Sequence, residues 1–265
     1  MKRIAGFVVF VASVVSGVSV LTPQVYAQAR SQSSMSQQDS VGDQQGRAKA
    51  HTELGMLYYQ SGNMSIALDE AQIAIESEGN YAPAYNLMGL IRMYLQEKPL
   101  AQENFERASR LAPGDAEIAN NYGWFLCQNG REREAIKLFQ TAATNPLYKT
   151  PTKPYTNAGL CTLRLKDDKG ADDFFQLAAR ADQSNTQALF HIADIAFRRA
   201  DYLNAKKFID EVLRISEPNA DSLWLALRVE RKIGDRSVEA SYASQLRRKF
   251  AGTPQHQALL QGQFE

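Results

Sequence analysis

The chain has 265 residues, 44% of them hydrophobic and 22% charged, with only 9 prolines and 16 glycines. That composition excludes collagen-like, mucin-like and wholly disordered chains. Its 30 basic and 29 acidic residues give a formal charge of +1, so bulk attraction to nucleic acid or an anionic membrane is excluded as well.

Met1-Lys2-Arg3 is a basic start, Ile4 to Leu21 an apolar stretch, and Val25-Tyr26-Ala27 places small side chains before Gln28. This is the three-part pattern of a secretory signal peptide over residues 1–27. The competing reading is an uncleaved anchor, because 18 apolar residues only just reach the roughly 17–25 that span a bilayer. Export to the periplasm is expected in either case. Residues 28–47 follow as a Ser/Gln-rich linker, six Gln and five Ser falling between Gln28 and Gly46. With so little to bury, such a segment is expected to be disordered.

From Ala48 the chain repeats itself. Small residues recur at Gly55, Gly89, Gly123, Gly159 and Ala193, with Leu227 in the equivalent place, at steps of 34, 34, 36, 34 and 34. Twelve residues after each come Ala67, Ala101, Ala135, Ala171 and Ala205, then Glu239 where the series breaks. Sixteen after come Ala71, Phe105, Phe139, Phe175 and Ile209. Three interlocked series at one 34-residue period resemble the tetratricopeptide repeat. The implied fold is all-α, a right-handed superhelical solenoid of six helix-turn-helix repeats. Their approximate spans are 48–81, 82–115, 116–151, 152–185, 186–219 and 220–253, with a short capping helix over 255–261 and the whole array ending near 262.

Each repeat pairs a helix A with a helix B, the small residues sitting where they cross. Turns between A and B are expected at Ser61-Gly62-Asn63, Lys98-Pro99, Gln128-Asn129-Gly130, Asp168-Lys169-Gly170 and Ile233-Gly234-Asp235. The two extra residues before the fourth repeat fall in a segment with prolines at 146, 151 and 154. This predicts a rigid bend separating two three-repeat halves.

Stacked A helices line the inner face of such an array. The positions pointing there include Met56 and Tyr59, then Pro83, Asn86, Leu90, Met93 and Tyr94. They continue with Glu117, Asn120, Trp124, Cys127 and Gln128, then Leu160, Leu163 and Arg164, and finally Phe190, Asp194, Phe197 and Arg198. An apolar, aromatic exposed face marks a protein-binding groove, with Asn86 and Asn120 expected to hydrogen-bond an extended backbone. The last repeat differs: Asp221, Trp224, Arg228, Arg231 and Lys232, with Arg247-Arg248-Lys249 on its helix B, read as a charged cap that keeps the solenoid soluble. Cys127 and Cys161 fall on neighbouring A helices, where an exported chain could bond them or bury them as two thiols.

Nothing points to catalysis. His51, His191 and His256 lie in separate repeats, and no zinc-protease, phosphate-loop or nucleophile-elbow motif is present. The acids Asp167, Asp168, Asp172 and Asp173 straddle a helix start, where carboxylates favour the dipole. The array takes nearly all of the chain after the leader, so the reading is a non-enzyme without catalytic residues, metal or cofactor. A nucleic-acid partner is not expected.

Beyond the generic repeat, Asn120-Asn121-Tyr122-Gly123-Trp124-Phe125-Leu126-Cys127 and Tyr155-Thr156-Asn157-Ala158-Gly159-Leu160-Cys161 resemble the type IV pilus biogenesis and stability family, the PilW/PilF-type pilotins. The resemblance covers residues 47–262. It implies a periplasmic protein at the outer membrane that binds a secretin or another pilus-assembly component, and it favours a bonded Cys127–Cys161 pair. Such pilotins usually carry a lipid-bearing cysteine after the leader. Here the junction is Ala27-Gln28, and the first cysteine is Cys127, so membrane association is expected to be indirect. Two other functions fit the same scaffold: a periplasmic adaptor for other envelope machinery, and a chaperone that holds unfolded exported chains.

Overall fold

The computed structural model of the protein describes residues 43–264, which form thirteen helices and no strand. Six hairpins follow one another. The first joins α1 (43–60) to α2 (Met64–Ser77). The second and third pair α3 (Ala82–Tyr94) with α4 (Lys98–Leu111), and α5 (Ala116–Gln128) with α6 (Glu132–Thr144). The remaining three pair α7 (Thr152–Arg164) with α8 (Asp168–Ala181), α9 (Thr186–Arg198) with α10 (Tyr202–Ile215), and α11 (Ala220–Ile233) with α12 (Arg236–Lys249). A short α13 (Pro254–Gln261) closes the array. The expected leader and most of the expected linker lie outside the described residues. The end of that linker is helix instead: α1 already runs through 43–47.

Each crossing of A on B is filled by two positions that share one volume. In the second, third and fourth hairpins A supplies glycine and B supplies phenylalanine. A Cβ added to Gly89, Gly123 or Gly159 would come within 2.8, 2.8 and 2.6 Å of the rings of Phe105, Phe139 and Phe175 respectively. Where A supplies the larger Ala193, B offers Ile209, and where A supplies Leu227, B shrinks to Ala243; each pair shares a core cluster. In the first hairpin Gly55 faces Ala71's helix, and Leu87 of α3 fills the gap, its Cδ2 lying 2.8 Å from the position of an added Cβ. Close packing tolerates neither a void nor an extra methylene, so the two positions change together. The phenylalanines also reach forward: Phe105 packs on Tyr122 and Phe125 of the next A helix at 5.9 and 5.5 Å between ring centres. Each therefore ties its own hairpin and the next into a continuous core.

The A–B turns differ in detail from the sequence expectation. Gly62, Gly130 and Gly234 take positive φ, as glycine does at low cost. In the other three hairpins the left-handed residue is Gln96, Lys166 or Ala200. Lys98-Pro99 and Asp168-Lys169-Gly170 are not turns but the first turns of α4 and α8. Proline is favoured there because its missing N–H has no partner to lose. Gly170 donates its N–H to the capping carboxylate of Asp167 at 2.9 Å.

The proline-rich insertion does not divide the array into halves. Residues 47–265 form one compact unit, and one core cluster runs from Ala101 through Phe139 to Cys161, across the insertion. The connection itself is fastened. Asn145 donates to the Gly114 carbonyl at 2.8 Å, Tyr148 to Glu117 at 2.8 Å, and Lys153 pairs with Glu117 at 2.9 Å. Burial raises Glu117's carboxyl pKa, but the Lys153 and Tyr148 contacts outweigh it and hold the group below the usual carboxylate range. Burial and the adjoining Glu117 push the Tyr148 phenol up to about 12. Cys127 and Cys161 form a disulfide between α5 and α7, with Cα atoms 5.9 Å apart.

Candidate functional site

The A helices present one continuous face. At its start Met56, Tyr58 and Tyr59 of α1 lie against a core of Leu87, Met88 and Ile91. Tyr59 meets Tyr94 edge to face at 6.4 Å. Burial and the neighbouring Tyr94 raise the Tyr59 phenol above its ordinary value, so the Tyr59 hydroxyl stays a neutral donor at neutral pH. Tyr94 itself is 58% exposed. Leu90, Met93 and Trp124 are half-buried against the central core. Met93, Trp124 and Gln128, with Gln96 and Lys98, line a cleft between α3 and α5. Leu160 and Leu163 continue the face against the core of the fourth hairpin, followed by the half-buried Phe190.

The two asparagines expected to grip an extended backbone do not face outward. Asn86 is 5% exposed and Asn120 1%. Both belong to a chain of side-chain amides inside the stack. Asn121 donates to Asn86 at 3.3 Å, Asn120 to Asn121 at 3.3 Å, and Asn157 to Asn120 at 2.9 Å. The relay has a neighbour in the next pair of hairpins, where Asn185 donates to Thr152 and Thr156 at 2.7 and 2.8 Å. A buried amide without a partner costs about 1–3 kcal/mol, which is why these groups pair with one another in the A-helix stack. Phe197 is also covered, 7% exposed beneath the guanidinium of Arg228 at 4.3 Å. Asn121 and Asn157 escape sequence reasoning because a lone asparagine reads as exposed; the Asn120-Asn121 pair is the one local sign of a relay.

Charged groups border the apolar strip. Arg164 is exposed and reaches Glu132 at 3.4 Å and Gln128 at 3.5 Å. Arg198 pairs with Asp194 at 3.1 Å and also with Asp168. The Arg198 contact holds Asp168's carboxyl below its ordinary value. Three of the four acids near the start of α8 are thus occupied, Asp167 as the cap, Asp168 by Arg198 and Asp172 by Arg199 at 3.0 Å. No group of three metal-ligating side chains comes together among the described residues.

The last hairpin departs furthest from expectation. Its A-helix face is covered by the chain's own Phe264. The Phe264 ring stacks on Trp224 at 5.6 Å, and the Arg231 guanidinium lies over it at 3.9 Å. Arg228 donates to the Phe264 carbonyl at 3.0 Å. Arg228 and Arg231 are therefore engaged with aromatic rings and not presented as a solvated cap. The repeat pattern stops before residue 264, so periodicity carried no sign of this contact.

A tetratricopeptide-repeat family profile matches residues 86–149. The chain is 28% identical over 208 residues to the type IV pilus assembly protein PilF of Pseudomonas aeruginosa, covering 78% of this chain and 82% of that protein. The solved structure of P. aeruginosa PilF superposes with a TM-score of 0.78 at 27% identity, covering 83% of this chain and 99% of that one. The structure of PilW, a type IV pilus biogenesis factor, superposes with a TM-score of 0.72 at 26% identity, covering 80% and 98%. With six helical hairpins of about 34 residues and likeness along nearly the whole length of both structures, the chain has the tetratricopeptide-repeat fold and is similar throughout it to PilF and PilW.

Proposed function

We propose that this chain serves type IV pilus biogenesis as an adaptor without catalytic activity, binding a segment of a secretin or another pilus-assembly protein along its A-helix face in the periplasm. The observation that carries the reading is the half-exposed apolar strip of Met56, Tyr59, Leu90, Met93, Tyr94 and Trp124, on a scaffold similar from end to end to two pilus-assembly proteins. Large aromatic side chains that remain partly exposed beside a cleft are the groups that dominate protein interfaces. The basic and apolar start of the sequence supports export, and contact with the membrane then runs through the partner.

Affinity capture from detergent-solubilised envelopes tests the partner: a secretin should co-purify with the intact chain. Trp124→Ala or Tyr94→Ala should each weaken that capture by about 2 kcal/mol with helix content retained. Capture unaltered by both substitutions removes the A-helix face as the binding surface. A deletion strain that twitches normally removes the pilus role.

A further inference from the structure

The sixth hairpin breaks the repeat pattern at three places, and all three breaks bear on one slot. The position that is Tyr59, Met93, Leu163 or Phe197 in other hairpins is Arg231. The position that is alanine in all five preceding repeats is Glu239. These two replacements work together: Glu239 accepts from Arg231 at 2.7 Å and from Arg236 at 2.9 Å. Burial raises Glu239's carboxyl pKa, but the two arginines outweigh it and hold the group ionised, below its ordinary range. Arg231 is thereby fixed with its guanidinium over the Phe264 ring. The third break is Trp224, the floor of the slot, where other repeats place Thr52, Asn86, Asn120, Thr156 and Phe190. Arg228, one turn on, faces the Phe197 ring and holds the Phe264 carbonyl.

The approach of residue 264 is equally specific. Helix α13 ends at Gly262, whose φ is +68°. Gln263 donates its N–H back to the Ala258 carbonyl at 2.9 Å, which reverses the chain toward α11. A left-handed glycine is what that reversal requires. Phe264 and Trp224 pack against the core of the last hairpin, and the placing of the ring between an indole and a guanidinium, with its own carbonyl hydrogen-bonded, adds a recognition geometry to that packing.

We propose that the A-helix face of the sixth hairpin is a binding slot for an aromatic side chain, preferably phenylalanine, in a partner segment whose main-chain carbonyl meets Arg228. The chain's own Phe264 occupies that slot as a built-in competitor, and a partner segment displaces it. This deepens the reading of the A-helix face as a binding surface. It adds a second, self-covered site to the open strip around Trp124.

The test needs no pilus component, so its failure is separable from failure of the pilus reading. The chain has two tryptophans; Trp124→Phe leaves Trp224 as the sole indole reporter. In that background a synthetic peptide of residues 257–265 is titrated against the intact chain, Phe264→Ala, and Gly262→Val, which disfavours the reversal while keeping the phenylalanine. Both variants should bind the peptide with a saturable change in Trp224 emission, at least tenfold more tightly than the intact chain, and a peptide with alanine for phenylalanine should give none. Equal binding by the intact chain and Phe264→Ala, or equal binding of the two peptides, overturns the proposal. Circular dichroism verifies that each variant keeps its helices. If Phe264→Ala unfolds, Gly262→Val alone carries the same pair of outcomes.

Discussion

The central hairpins and the last one use the same helix-turn-helix frame with opposite treatment of its A-helix face. Between α3 and α7 the stack is fastened from within by glycine–phenylalanine crossings, an amide relay and a disulfide. Its face is left open, with Tyr94 exposed and Trp124 beside a cleft. At α11 the crossing is inverted, leucine opposite alanine, and the face is covered by Phe264 between Trp224 and Arg231. The difference shows that stiffness and occupancy are set separately. Interior positions hold the frame while exterior positions on the same helices determine what rests against it.

The largest effect that would break this comparison lies at the central crossings. Phe139→Ala should destabilise the chain by about 3–5 kcal/mol in urea unfolding. Adding Gly123→Leu, which copies the Leu227–Ala243 arrangement, should recover a substantial share of that loss. Next, the disulfide closes a separation of 34 residues, so Cys127→Ala with Cys161→Ala should cost about 2–4 kcal/mol. The open face should then lose its rigidity before the last hairpin does, as read by hydrogen exchange of α5 and α7 against α11.

Smaller effects sharpen the same contrast. Asn120→Ala removes the middle of the amide relay and should cost about 1–3 kcal/mol, measurable as a lower thermal midpoint. Alanine at the exposed Tyr94 should leave that midpoint almost unchanged. The smallest change is a gain: Ala200→Gly relieves a left-handed non-glycine residue and should stabilise by about 0.5 kcal/mol, seen as a higher urea midpoint.

How much of this was legible in the sequence depended on whether a residue's task repeats. Gly89, Gly123 and Gly159 recur with Phe105, Phe139 and Phe175 because sterics at each crossing impose the same demand, and that recurrence specifies the hairpins. The strip of Met93, Trp124 and Leu160 follows from the same register. Asn86 and Asn120 were misread because position within a repeat shows which way a side chain points, not whether a neighbouring hairpin already bonds it. Two of the turns were misplaced and that of the fifth hairpin was not placed at all, because Gln96, Lys166 and Ala200 adopt a conformation that their side chains do not advertise. The supposed bend at the proline segment failed for a related reason: stiffness in a connection does not separate hairpins whose interiors interlock. Phe264 lay beyond the last repeat, where no register existed to place it.

The amide relay also limits how freely these hairpins can be rearranged. Asn86, Asn121, Asn120 and Asn157 form a directed sequence in which each carboxamide needs a particular neighbour on a particular side. Shuffling the second, third and fourth hairpins, or duplicating one, would preserve every crossing and still strand an amide at the new junction. The middle of this solenoid is therefore written in a fixed order, like words in a sentence, and not strung like interchangeable beads.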